Sequence, residues 1–177
     1  RSNYIHNWVV LEICSAPDFY QSKLIECFIN IAKKCLENAD FNSAVFITLA
    51  LLHRPVQNLG PLKWDNIDSN SKSKMKILEA LLDPSENMKI YRLSLEQCSE
   101  PFIPFLPLVM KDLSVLVEIN GRKVPKNHID FELMEKYHSF VKEVQKGVSE
   151  SYIFGDVLKI PLCLYINERI HQLGYSP

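Results

Sequence analysis

A chain of 177 residues, 47% of them hydrophobic, can bury one substantial core and is read as one domain over 1–177. Its 20 basic residues face 21 acidic ones, and a net charge of -1 gives no global electrostatic pull toward nucleic acid or an anionic membrane. The longest apolar run is interrupted by Lys111 and Asp112, so no direct membrane insertion is expected. The chain opens on Arg1 and shows no signal peptide, which reads as a fragment of a longer cytoplasmic protein, monomeric in itself. Five cysteines, Cys14, Cys27, Cys35, Cys98 and Cys163, are scattered with no CxxC pair or zinc-ribbon spacing, and no HExxH occurs. Free thiols in a reducing compartment are expected, with no metal and no cofactor.

In chain order, the first clear element is "YQSKLIECFINIAKKCLEN", where Leu24, Phe28, Ile31 and Cys35 recur at i, i+4, i+7 and i+11 as one helical face. "DFNSAVFITLALL" follows, with Asp40 or Asn42 able to cap a helix that carries Val45, Leu49 and Leu52, and Pro55 ending it. "NLGPLKWDNI" is a turn leading to Trp64, and two shorter helices then flank a break at Asp83-Pro84. "DFELMEKYHSFVKEVQKGV" is another helix, with Asp130 near its N-terminus, where a negative charge is favourable. Its stripe of Phe131, Met134, His138 and Val141 reads as a packed face. Residues 152–164 are ambiguous between strand and coil, and a last short helix follows. The expected fold is all-α, with six to eight helices.

The stretch "PFIPFLPLVMKDLSVLVEIN", residues 101–120, stands apart. Pro104 and Pro107 suit a helix start, where a missing N–H costs nothing and a fixed φ helps. Leu106, Met110, Leu113 and Val117 make one apolar line, widened by Val109 and Leu116. Lys111, Ser114 and Glu118 fall at i, i+3 and i+7 as one thin polar stripe, read as lying on the side opposite the apolar line. "EINGRKVPKNH" turns the chain, so the helix from about Ile129 can pack back and close an antiparallel helical hairpin over about 104–146. A helix this apolar must be buried or must wedge into a partner.

Five segments in one order, "NWVVLEI", "FINIAKKCLENADFNS", Trp64 after the Leu59 turn, "LLDPSENMKIYR" and above all "PFIPFLPLVMKDLSVLVEIN", resemble the catalytic domain of RasGEF proteins, the guanine-nucleotide exchange factors for Ras-family GTPases. The likeness spans roughly Asn7 to Ile170. It implies an all-α fold and a partner that is a Ras-superfamily small GTPase of Ras, Rap or Ral type. It also implies a protruding hairpin that enters between switch I and switch II, displaces Mg²⁺ and releases nucleotide without covalent chemistry.

Carried over by position, Glu118 matches the glutamate that competes for the phosphate and Mg²⁺ site. Ser114 falls near the metal, and Asn120 matches a polar residue at the end of that helix. Phe105 matches an aromatic wedge at the hairpin base. Leu52 and Gln57, around the "HRP" bend, match positions that contact switch II, and Met110 and Lys111 lie on the face that would meet the partner. Trp64 and Arg92 match scaffold residues. Plain structural readings stand beside these: a solvated helix-end carboxylate for Glu118 and core packing for Phe105. Pro107 stands where the family carries Gly, Asn58-Leu59 replaces "RL", and one extra residue precedes Trp64. Only six residues precede "NWVVLEI", which implies a truncated or compact form without the accessory exchanger-motif domain. The alternatives are a degenerate module that docks a GTPase without exchange, and an unrelated enzyme, for which no nucleophile–base, metal or phosphate-loop motif appears.

Overall fold

The computed structural model describes residues 2–120, 130–149 and 160–174. Ten helices occupy them: α1 Ser2–Ser15, α2 Asp18–Glu37, α3 Phe41–Leu51, α4 Arg54–Gln57, α5 Pro61–Asp65, α6 Ser69–Leu81, α7 Lys89–Gln97, α8 Leu106–Asn120, α9 Phe131–Ser149 and α10 Ile160–Gly174. The all-α expectation holds, with more helices than expected because the bend after α3 and the turn before Trp64 each wind into one short turn. The only sheet-like pairing among the described residues is an isolated parallel bridge between Asp40 and Ile103. The 152–164 ambiguity resolves as helix from Ile160 onward, and 152–159 lie outside the described residues.

Local chemistry fixes the helix starts. Asp40 accepts the Ser43 N–H at 2.9 Å at the start of α3. Asp68 accepts the Ser71 N–H at 2.9 Å and its hydroxyl at 2.7 Å at the start of α6. Asp130 accepts the Leu133 N–H at 3.0 Å at the start of α9. Each carboxylate occupies a donor that the first helical turn leaves without an intrahelical partner.

The central helix is α3, packed against α1, α2 and α6. Eight of its eleven residues are buried, so it has no single apolar face, and Thr48 satisfies its hydroxyl on the Ala44 carbonyl at 2.7 Å. Around it gather Val9 and Ile13 of α1, Ile25, Phe28, Ile29 and Ala32 of α2, and Met75 and Leu78 of α6. The buried side of α2 is therefore rotated from the expected Leu24–Phe28–Ile31–Cys35 line. α3 and α6, with α1, close on the Ile25–Ile29–Ala32 side, and Ile31 is left exposed. Likewise Leu49 and Leu52 of the expected α3 face reach the surface.

A second cluster, Phe41, Val45, Leu81, Tyr91 and Leu108, joins α3, α6 and α7 to the start of α8, with Phe105 packed on it. Beyond that seat, α8 and α9 pack on each other and on no other helix extensively. The pair forms an arm on the body, and no helix among the described residues is long and apolar enough to cross a membrane.

Candidate docking surface

The arm's root is set by backbone bonds. Ile103 donates its N–H to the Ala39 carbonyl at 2.9 Å, and its own carbonyl accepts from Phe41 at 2.9 Å and Asn42 at 3.3 Å. Phe105 donates its backbone N–H to the Tyr91 hydroxyl at 2.8 Å, and burial pushes that phenol above its ordinary pKa. Phe105 also stacks edge-on with Phe46, ring centroids 5.5 Å apart. Its seat is thus the hairpin base, half-buried in an aromatic group, so core packing is part of what this residue does.

From the root outward, one half of α8 is exposed. At about 100° per residue, Leu106, Val117 and Met110 adjoin Ser114 and Pro107, which adjoin Glu118 and Lys111. All of these are exposed, Met110 at 61%. The opposite half holds Leu108, Asp112 and Leu116, turned toward the body and α9. Of the expected apolar line, Leu106, Met110 and Val117 are exposed and Leu113 is half-buried, so the line is not a buried seam, and its exposed members lie beside the polar stripe instead of across the helix from it. Among the described residues, this half of so apolar a helix is exposed and not buried.

The expected site residues divide as follows. Ser114, Met110, Lys111 and Glu118 share this exposed face. Ser114 bonds back to the Met110 carbonyl at 2.9 Å, and Lys111 reaches the Asn87 side-chain oxygen at 3.3 Å. Asn120 ends α8, and its side chain lies outside the described residues. Leu52 is 37% exposed at the edge of a depression lined by His6, Asn7, Phe46, Leu49, His53 and Arg54. Phe46 therefore connects the Leu52 edge to Phe105 and the arm's root. Gln57 is exposed, but its amide donates to the Leu51 carbonyl at 2.8 Å, so it also closes the bend after α3. Trp64 is scaffold: its indole N–H donates to the Val56 carbonyl at 3.3 Å.

On α9 the structure corrects the expected stripe. Phe131, Met134, His138 and Val141 all face outward, Phe131 at 79%, while Leu133, Tyr137, Phe140 and Val144 turn inward. His138 is exposed, not packed. The periodicity is right and the direction reversed, because both sides of α9 carry apolar residues and spacing alone does not say which side meets α8.

Sequence reasoning left Asp112 inside a motif, yet it pairs with Arg92 across α7 and α8 at 2.8 Å. The available signal was a lone acidic residue on the apolar side of a helix, a placement that demands a partner.

Comparison with known proteins bears on this surface. The RasGEF domain family model matches residues 1–135. The chain is 34% identical over 183 residues to Rap guanine nucleotide exchange factor 1 of Caenorhabditis elegans, covering 99% of this chain and 18% of that protein. It is 34% identical over 135 residues to Rap guanine nucleotide exchange factor 3 of Homo sapiens, covering 76% of this chain and 14% of that protein. It is 29% identical over 175 residues to Rap guanine nucleotide exchange factor-like 1 of Mus musculus, covering 98% of this chain and 24% of that protein. The chain thus spans a quarter or less of the length of these relatives.

Proposed function

The chain belongs to the RasGEF domain family, and on that premise we propose that it binds a Ras-superfamily GTPase and accelerates release of its guanine nucleotide. In this reading residues 1–177 form one exchange domain, and the α8–α9 arm enters beside the nucleotide. The names of the relatives put Rap-type GTPases first among candidates, with Ras and Ral types next. The protein acts as a cytoplasmic monomer, and recruitment to the membrane belongs to segments outside this chain.

A GTPase holds its nucleotide through Mg²⁺ and phosphate-loop contacts, and the cation is the main local charge balancing the phosphates. The exposed half of α8 carries what is needed to disturb that balance. Leu106, Met110 and Val117 give an apolar wedge against switch I, while Ser114 and Glu118 bring a hydroxyl and a carboxylate toward the metal and phosphate positions. Phe105, Leu52 and Gln57 supply the switch II side, with Asn120 completing the far end of the helix. No covalent chemistry is involved. The domain binds the nucleotide-free GTPase more tightly than the loaded one, and by reciprocity nucleotide must weaken its binding equally. The observation that carries this reading is the exposed apolar and carboxylate-bearing half of α8.

The test is release of a fluorescent guanine nucleotide from purified Rap, Ras and Ral proteins. The wild-type chain accelerates release from at least one of them, and Glu118→Ala lowers that rate on the order of tenfold, about 1.4 kcal/mol of barrier. Binding without acceleration would replace this reading with a GTPase-docking adaptor. Neither binding nor acceleration on any of the three would sink both.

A further inference from the structure

Six residues beyond the arm's root, about 9 Å along the helix, α8 meets the body again. Nη2 of Arg92 on α7 donates to both carboxylate oxygens of Asp112, at 2.9 and 2.8 Å. The same guanidinium donates through Nε to the backbone carbonyl of Asn87 at 2.8 Å. Asn87 is the middle of three successive non-glycine residues in the left-handed region, Glu86, Asn87 and Met88, with φ of 50, 58 and 59°. L-residues enter that region at a cost and hold it only where their surroundings determine it. Asn87 also takes the Lys111 ammonium on its side-chain oxygen, so this turn is tied to α8 twice.

Beside the pair, a cavity of about 520 Å³ opens between α7, the segment leading into α8, and the arm itself, lined in part by Arg92, Leu108, Asp112, Phe140 and Val144. An arm lying over a void is not held there by dense packing. The arm is held by the root of α8, by α9 at Gly147, whose carbonyl accepts the Phe102 N–H at 2.9 Å, and by the tie through Asp112, which alone of the three acts part-way along α8. We propose that the Asn87 turn, Arg92 and Asp112 form a strut that sets the arm's angle, making Arg92 and Asp112 positioning residues for nucleotide exchange. Neither residue is required to touch the GTPase. The proposal rests on the exchange reading above and adds to it the part that aims the wedge.

Asp112→Asn, Asp112→Glu and Arg92→Lys in the 177-residue chain separate aiming from mere stability. In the chain alone, hydrogen–deuterium exchange of the α8 amides accelerates on the order of tenfold in Asp112→Asn, while α1 to α3 keep their protection. At saturating GTPase and well below the melting temperature, nucleotide release falls on the order of tenfold, with the half-saturating concentration moving by less than about threefold. Asp112→Glu, which keeps the carboxylate, recovers most of both readouts, and Arg92→Lys, which cannot hold Asn87 and Asp112 together, does not. Wild-type protection and rate in Asp112→Asn would overturn the strut, as would protection lost evenly across body and arm. A wild-type chain that unloads no GTPase removes the exchange role through its premise, an outcome told apart because no variant is needed to see it.

Discussion

By composition α3 and α8 are the two most apolar of the ten helices, and they meet opposite fates. In α3 eight of eleven residues are buried, surrounded by α1, α2 and α6. In α8 only Leu108 is buried among the described side chains, and Met110 and Val117 stand in the open. The difference lies in what surrounds each helix, not in its own residues. An apolar sequence sets a demand for contact. Topology decides whether the described chain meets that demand, as in the body, or leaves the face exposed, as in the arm.

The sharpest way to break this comparison is to truncate one side chain on each side of it. Ile29→Ala, at a fully buried position of α2, should cost about 3 kcal/mol in urea unfolding through lost transfer energy and the cavity left behind. Met110→Ala should cost less than about 0.5 kcal/mol while still weakening nucleotide release. Equal unfolding costs would mean that α8 is body, not arm. A smaller effect is expected at the joint between the two regions. Tyr91→Phe removes the acceptor for the Phe105 N–H and should cost about 1–2 kcal/mol in the same unfolding measurement. Cost without any change in nucleotide release would place Tyr91 wholly in the body.

The smallest effect is invisible at neutral pH. Burial first, and the Asp40 charge second, push the Cys35 thiol up to about 11 from an ordinary 9.0. The folded chain therefore holds this proton more tightly than the unfolded chain. The stability it contributes is complete below about pH 9 and is lost as pH climbs from there toward 11. Urea midpoints across that window should fall less steeply for Cys35→Ala than for the wild type, whereas Met110→Ala should follow the wild-type slope. Parallel slopes for all three would show that the thiol is not sealed in the body.

Much of this was legible in the residues. Helical spacing, the Asp40 cap and the break at Asp83-Pro84 follow from local chemistry, so α2, α3, α6 and α7 emerge where expected. The hairpin is legible for the same reason, since a proline-led apolar helix, a turn segment and an Asp-capped second helix leave few other arrangements. The facings were not legible. Leu24, Phe28, Ile31 and Cys35 describe a valid stripe on α2, but the side that is buried was chosen by the helices that pack on it, chiefly α3 and α6. The stripe Phe131, Met134, His138 and Val141 fails similarly: α9 has two apolar sides, and only contact with α8 distinguishes them. Within the candidate surface, resemblance marked Glu118, Ser114 and Phe105, whereas the Arg92–Asp112 tie needed coordinates because its partners are twenty positions apart on different helices.

The backbone bridge at Ile103 has a mechanical consequence. Its N–H and its carbonyl stitch the arm's root to Ala39, Phe41 and Asn42, at the entry to the most buried helix of the protein. A load applied at the far end of the arm travels down α8 and is delivered to that stiff pillar instead of being dissipated in a yielding loop. A crowbar works only when its heel rests on something that does not give, and here the heel is three hydrogen bonds set against the close-packed core.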